Sequence, residues 1–301
     1  MHIDLLANRF YDYYLIERRL SKHTVRCIRG HLNYYLKFSK MELIENVTEE
    51  SIREFFLFGR VTRNWKPHTT IRAFQSLTVF FRWCLKSGYI IANPMPAIEL
   101  PRPDKVLPRS VTKQDAMKIL EVTYNYPYSS NFLRCRNHAI FAIMIYTGLR
   151  KSEVLNLMLT DVDTENLTVF VNRGKGAKDR IVPMNLALAE SLRRYLKERT
   201  KLKKTCSHFF AGLILNKAFT DTGIRKLVIQ ISKASGIKFT LHKLRHTFAT
   251  LMLEGGCDIY SLSRMMGHSD IKTTTIYLSA SVQHLRSQMS KHPLNDLVRY
   301  A

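Results

Sequence analysis

Acidic residues are scarce in this sequence. In 301 residues, 24 Asp and Glu stand against 47 Lys and Arg, giving a formal net charge of +23 and a pI near 10.0. The excess is not a tail: residues 1–110 carry 18 basic and 10 acidic side chains, residues 111–301 carry 29 and 14. A field of one sign over both halves favours a polyanion and suggests a clamp around nucleic acid. Cysteine is also sparse. The five thiols lie far apart with no CxxC pair, so they read as reduced cysteines of a cytosolic protein rather than a disulfide framework. No run of about 18 uncharged apolar residues occurs, so no membrane span is expected. The first residues, MHIDLLANRFYDYY, lack the basic-then-apolar order of a secretory signal. The expectation is a soluble, cytoplasmic protein. No Walker phosphate loop is present, which argues against ATP, and no internal repeat or low-complexity tract is visible.

Hydrophobic content (46%) and charged content (24%) are ordinary for a globular chain, long enough for one large or two medium domains. Residues 3–19 set Leu5, Leu6, Phe10, Tyr14 and Leu15 at helical spacing. Ser21 is a candidate N-cap for a second helix with a broad basic stripe, and Thr48-Glu-Glu-Ser starts a third with acid in its first turn. Pro67 suits the first turn of a fourth, which Gly88 stops. Its Phe74, Leu77, Phe80, Phe81 and Trp83 are expected to supply much of a small helical core. Pro94, Pro96, Pro101, Pro103 and Pro108 then crowd one stretch that cannot be helix or central strand. The expected organisation is a helical domain over 1–98, a Pro-rich linker over 99–110 and a second domain over 111–301.

That second domain should open with a capped helix after Val111-Thr112. A helix over 136–146 (AIFAIMIY at its heart) is apolar almost all round and should be buried. A sharp turn at Thr147-Gly148 starts another helix. Residues 166–172 and 179–184 read as a β-hairpin whose tip, 173–178, is cationic and glycine-rich. Helices near 186–199, 220–235, 241–254 and 258–265 complete the pattern. The fold class is therefore mainly α with a small antiparallel sheet.

The stretch 239–278 concentrates the chemistry. His242, Arg245 and His246 are three and four apart and project to one helical side. Gly267-His268 follows, and Tyr277 comes nine residues later. Singly, each feature has a plain alternative. Arg150 could be a surface residue, Lys175 a solvated turn residue, and Tyr277 a core aromatic. His242 and His246 could be half of a zinc site, but no Glu lies between them, and Lys243 and Arg245 would repel a cation, so no metal is expected. Jointly the parts suit attack on a phosphodiester. Two arginines grip phosphate oxygens, histidines donate or shuttle a proton, a loop lysine protonates a leaving alkoxide, and a tyrosine oxygen is the nucleophile.

TGLRKSEV (147–154), GKGAKDRIVP (174–183), HKLRHTFAT (242–250) and GHSDIKTTTIY (267–277) resemble, in order and spacing, the signature boxes of the tyrosine recombinases (phage integrase family), most similar to compact Xer-like enzymes and mobile-element integrases. The resemblance implies an all-helical, SAM-like core-binding domain followed by an α+β catalytic domain. It implies a site-specific recombinase that cuts and rejoins DNA through a 3′-phosphotyrosine and a Holliday junction, without metal, ATP or other cofactor. In that scheme Arg150 and Arg245 bind the phosphate, with Glu153 in support. Lys175 is the general acid and His242 assists the tyrosine. His268 donates to the phosphate, His246 is supporting, and Tyr277 is the nucleophile. The implied partners are double-stranded DNA recombination sites, a homo-tetramer or a hetero-tetramer with a related recombinase, and DNA-bending accessory proteins. Residues 281–301 are the candidate for a segment exchanged between protomers. Met265-Met266 and the ending YLSASVQHLRSQMSKHPLN depart from the housekeeping Xer pattern and lean towards a mobile element. Two rivals are a type IB topoisomerase and a non-catalytic DNA-binding protein of the same fold.

Overall fold

The computed structural model describes residues 1–18, 21–102, 110–172, 179–268 and 270–278, without the side chains of residues 22 and 23. Lys175, the hairpin tip, most of the expected linker and the segment 281–301 lie outside these described residues. The chain divides into two compact units, Met1–Val106 and Leu107–Ala301.

The first unit is built from α1 (Ile3–Ile16), α2 (Lys22–Ser39), α3 (Glu49–Val61) and α4 (Pro67–Lys86). Local chemistry sets the boundaries. The Ser21 hydroxyl accepts from the Thr24 N–H, Thr48 and Ser51 form a reciprocal cap, and Pro67 occupies the first turn of α4. The buried face of α1 is Ile3, Leu6, Ala7, Phe10 and Tyr11. Leu5 and Leu15, expected on that face, are exposed because they lie off the 100°-per-residue stripe. Phe10 meets Phe80 edge-to-face at 5.3 Å, and Leu77, Phe80, Phe81 and Trp83 are buried as expected, whereas Phe74 packs only at the core's margin.

In the second unit α6 (Asn131–Thr147) is the central rod. Ala139–Met144 are at most 1% exposed, and Ile145 is 5%, so no side of that stretch faces water. Around it pack α5 (Lys113–Asn125), α8 (Leu186–Lys201) and α10 (Leu241–Glu254), while α9 (Asp221–Ser235) lies against α5. Truncating one of these isoleucines to alanine should cost about 2–5 kcal/mol. The helix starts five residues before the expected 136–146 span, because Ser130 caps it through the Leu133 N–H and Phe132 already packs into the core.

The sheet is antiparallel in the order β1 (Val162–Asp163), β2 (Thr168–Val171), β3 (Arg180–Pro183), with Val169 opposite Val182. β1, at two residues, is too short to leave a periodic signal. After α10 come α11 (Ile259–Met266), capped by Asp258, and a single turn, α12 (Lys272–Thr275). Phe248, Ala249, Leu253, Leu262, Met266 and Tyr277 form a separate small core between α10 and α11. The short helix α7 (Lys151–Asn156) stands between α6 and the sheet. No helix among the described residues is long and apolar enough to cross a membrane.

Candidate active site

The site begins at the turn from α6 into α7. Gly148 ends α6 at φ +63°, and a Cβ there would run into the Phe248 ring of α10. Only glycine satisfies both demands, the left-handed backbone and the close approach. Two residues on, Arg150 is the N-cap of α7. Glu153 accepts from the Arg150 backbone N–H at 2.8 Å and from its Nη1 at 2.8 Å. Arg150 Nη2 donates to the carbonyl of Gly267 at 3.0 Å.

Thr240 caps α10 through the Lys243 N–H, which places His242, Arg245 and His246 in its first two turns. Arg245 is 3% exposed. Its Nη1 donates to the carbonyl of Gly148, and its Nη2 to that of Met266 at 2.7 Å. Nη2 also faces His268 Nε2 at 3.0 Å. A guanidinium has no acceptor, so Nε2 carries the lone pair, and His268 Nδ1–H donates to the Thr274 hydroxyl at 2.7 Å. Burial first, then Arg245, Arg150 and Arg180, push the His268 pKa down to about 4. Burial first, then Arg150, lowers that of Arg245 to about 10, so it remains a cation at neutral pH.

Tyr277 is 2% exposed, its ring in the small α10–α11 core. Its hydroxyl lies 2.7 Å from His246 Nδ1. Burial raises the tyrosine pKa, opposed by the Arg245 and Arg150 charges. Burial, His242 and Arg245 bring His246 down to about 4, so it is neutral at pH 7. The His242 ring meets the His246 ring edge-on at 4.4 Å, and its pKa is lowered by burial, then by Arg245 and Arg150. A cleft of about 730 Å³ lies between α7, α9 and α10. Arg150, His242 and Arg245 line it, together with Leu149, Val228 and Phe239.

Seven of the eight residues singled out in the sequence therefore meet in one contact network: Arg150, Glu153, His242, Arg245, His246, His268 and Tyr277. The eighth, Lys175, lies outside the described residues. The details differ from the resemblance in two places. His246, not His242, touches the Tyr277 hydroxyl. Both ring nitrogens of His268 are engaged inside the protein, Nε2 with Arg245 and Nδ1 with Thr274, so the ring braces Arg245. Sequence reasoning also missed Arg180. Its Nη1 and Nη2 bind the Glu153 oxygens at 3.0 and 2.8 Å, and its Nε donates to the Met265 carbonyl at 2.8 Å. The available signal was strand period: Arg180 shares the face of buried Val182, and an arginine turned inward needs a partner. Together, Arg180 and Arg150 more than offset the upward push of burial on Glu153, whose pKa falls to about 2.

Known families match both units. The phage integrase family matches residues 109–284, and the phage integrase N-terminal SAM-like domain matches residues 6–91. Tyrosine recombinase XerC of Oceanobacillus iheyensis is 32% identical, covering 97% of this chain and 97% of that protein. Tyrosine recombinase XerD of Listeria monocytogenes is 30% identical over 96% of this chain and 98% of its own length. Among solved structures, XerH site-specific recombinase bound to its palindromic difH substrate shares the fold, with a TM-score of 0.73, 23% identity and 95% of each chain covered.

Proposed function

The chain belongs to the phage integrase family as a Xer-like tyrosine recombinase, and from that membership we propose that it cuts and rejoins double-stranded DNA at defined sites through a covalent tyrosine link. One observation carries the proposal. Arg245 is a buried cation whose hydrogen-bond partners among the described residues are two carbonyls and one neutral imidazole; the Glu153 carboxylate acts on it only through its charge, against those of Arg150 and Arg180. Burying an uncompensated charge is costly, and an anion in the adjoining cleft removes that cost. Arg150, half-buried on the same cleft, supplies the second guanidinium for a phosphodiester.

In the proposed reaction Tyr277 Oη attacks the scissile phosphorus, the P–O5′ bond breaks, and the tyrosine proton passes to His246 Nδ1. His246, the neutral ring on that hydroxyl, is the group placed to orient it and receive its hydrogen bond. Lys175 is proposed to protonate the leaving 5′-oxygen. A 5′-hydroxyl from a partner duplex then attacks the phosphotyrosine and restores the phosphodiester. One covalent phosphate link replaces another, so no nucleotide hydrolysis is required. Exchange between two duplexes through a Holliday junction takes four protomers, two at each site, and a tetramer is proposed on that ground.

The test uses a nicked suicide duplex taken from DNA beside the protein's own gene. A covalent adduct mapping to Tyr277 is expected from the wild type. Tyr277→Phe should form none while retaining duplex binding. Parallel loss of binding would make the tyrosine a structural residue only.

A further inference from the structure

Arg180 opens β3, the strand that follows the glycine-rich run 173–178, and its side chain is only 9% exposed. It meets two separate parts of the site. Two of its nitrogens chelate Glu153, and the third holds the Met265 carbonyl in the last turn of α11. Glu153 is thereby saturated, since each carboxylate oxygen accepts once from Arg180 and once from Arg150. Charge counting gives the consequence. Arg150 with Glu153 alone would be a neutral pair, and an anion in the cleft would then face the single charge of Arg245. With Arg180 included, the Arg150–Glu153–Arg180 group carries a net +1.

The contacts also form a chain across the site. Arg180 holds residue 265, Arg150 holds the carbonyl of Gly267, and His268 braces Arg245. Gly267 sits at φ +65°, and a Cβ there would lie 2.8 Å from Arg180 Nη1. The turn and the guanidinium are packed without spare room.

We propose that Arg180 is a positioning residue of the phosphate cradle: it neutralises Glu153 so that the charge of Arg150 remains available to the anion, and it ties the 265–268 turn to the strand that follows Lys175. The cleavage arm of the test rests on the recombinase reading; a second arm does not. The full chain is made as wild type, Arg180→Gln, Glu153→Gln, the double variant and Arg180→Lys, with circular dichroism to confirm folding. Single-turnover adduct formation on the nicked duplex should fall about 100-fold in Arg180→Gln, with duplex affinity within about threefold of wild type. Inorganic phosphate, followed by ³¹P line broadening, should bind about tenfold more weakly to Arg180→Gln. The double variant should regain most of that affinity, because removing the carboxylate's charge restores the net +1, a recovery that a mere packing role would not produce. Arg180→Lys keeps the charge and loses the fork, so phosphate affinity should stay within about threefold while adduct formation drops about tenfold.

Phosphate affinity unchanged in Arg180→Gln, or no recovery in the double variant, overturns the proposal. So does a wild type that binds no phosphate. If Arg180→Gln does not fold, Arg180→Lys decides: loss of phosphate affinity matching its loss of cleavage rate overturns it. A wild type that binds phosphate with the expected pattern of variants but yields no adduct on any duplex refutes recombination and leaves the cradle intact.

Discussion

At the scale of single residues, the informative fact is how little compensates Arg245. Lysine there could reach one of its three acceptors but not bridge Gly148, Met266 and His268 together. Arg245→Lys should therefore slow adduct formation about 10²–10³-fold, and Arg150→Ala similarly, with duplex binding little changed. Single-turnover cleavage alongside a binding isotherm separates the two effects. Tyr277→Phe should act twice. It removes the proposed nucleophile, and it removes a buried hydrogen bond to His246, worth about 1 kcal/mol of unfolding free energy in a urea titration. Replacing His246 by Phe should match that stability loss, yet slow cleavage rather than abolish it, since the hydroxyl survives without its partner.

At the scale of elements, the turn from α6 to α7 decides where both guanidiniums point. Gly148 and Gly236 end their helices with the same left-handed backbone, at φ +63° and +74°. A Cβ at Gly148 meets the Phe248 ring, whereas one at Gly236 meets nothing within 4 Å. Gly236→Ala should thus cost only the backbone strain, about 1 kcal/mol. Gly148→Ala should cost about 2–4 kcal/mol, because overpacking adds to strain, and it should shift the carbonyl that holds Arg245. Urea midpoints of the two variants, side by side, test this difference; equal losses would mean the Phe248 contact is unimportant. The caps at Ser130, Asn185, Thr220, Thr240 and Asp258 are conventional by comparison, each hydroxyl, amide or carboxylate oxygen taking one orphan N–H.

At the scale of the whole molecule, charge has two separate uses. The excess of basic residues, 47 against 24 acidic, gives a positive field that attracts a polyanion, so duplex affinity should fall steeply with salt, linearly in log–log form with a slope of roughly several phosphate contacts. A shallow slope would mean few phosphates are touched. A few arginines are instead internal fasteners. Arg199, 3% exposed, gathers the carbonyls of Lys204, Cys206, His208 and Phe209, and Arg136 holds that of Ala211. Histidine sets the response to acid. His138, His246 and His268 are each held near 4, chiefly by burial, against an ordinary value of 6.5. Their folded values are depressed, so they are neutral in the fold. Stability is full above 6.5 and is lost as pH falls from 6.5 towards 4, by at most about 1.4 kcal/mol per unit per histidine and less for partly solvated rings. Glu153, near 2, stays ionised through that window. Melting scans should show the transition of the second unit falling between pH 7 and pH 5, and His138→Asn should flatten that fall. A melting temperature independent of pH would contradict the burial of these rings.

The sequence by itself determined the helices, because capping groups and apolar period are local: Ser21, Thr48, Pro67 and the AIFAIMIY run each act within a few residues. It also marked the candidate site residues, since Arg150, Glu153, His242, Arg245, His246, His268 and Tyr277 stand in motifs whose order and spacing are legible in one dimension. The two-residue β1, the single turn α12 and the first turn of α6 were not legible, because nothing periodic marks them. Only the tertiary structure decided which group serves which. That His246 rather than His242 reaches the tyrosine, that His268 braces Arg245, and that Arg180 is the second partner of Glu153 all depend on contacts across gaps of 23 to 31 residues. Hydrogen bonds choose partners within about 3 Å in space, and sequence spacing carries no such distance once the chain has turned back on itself.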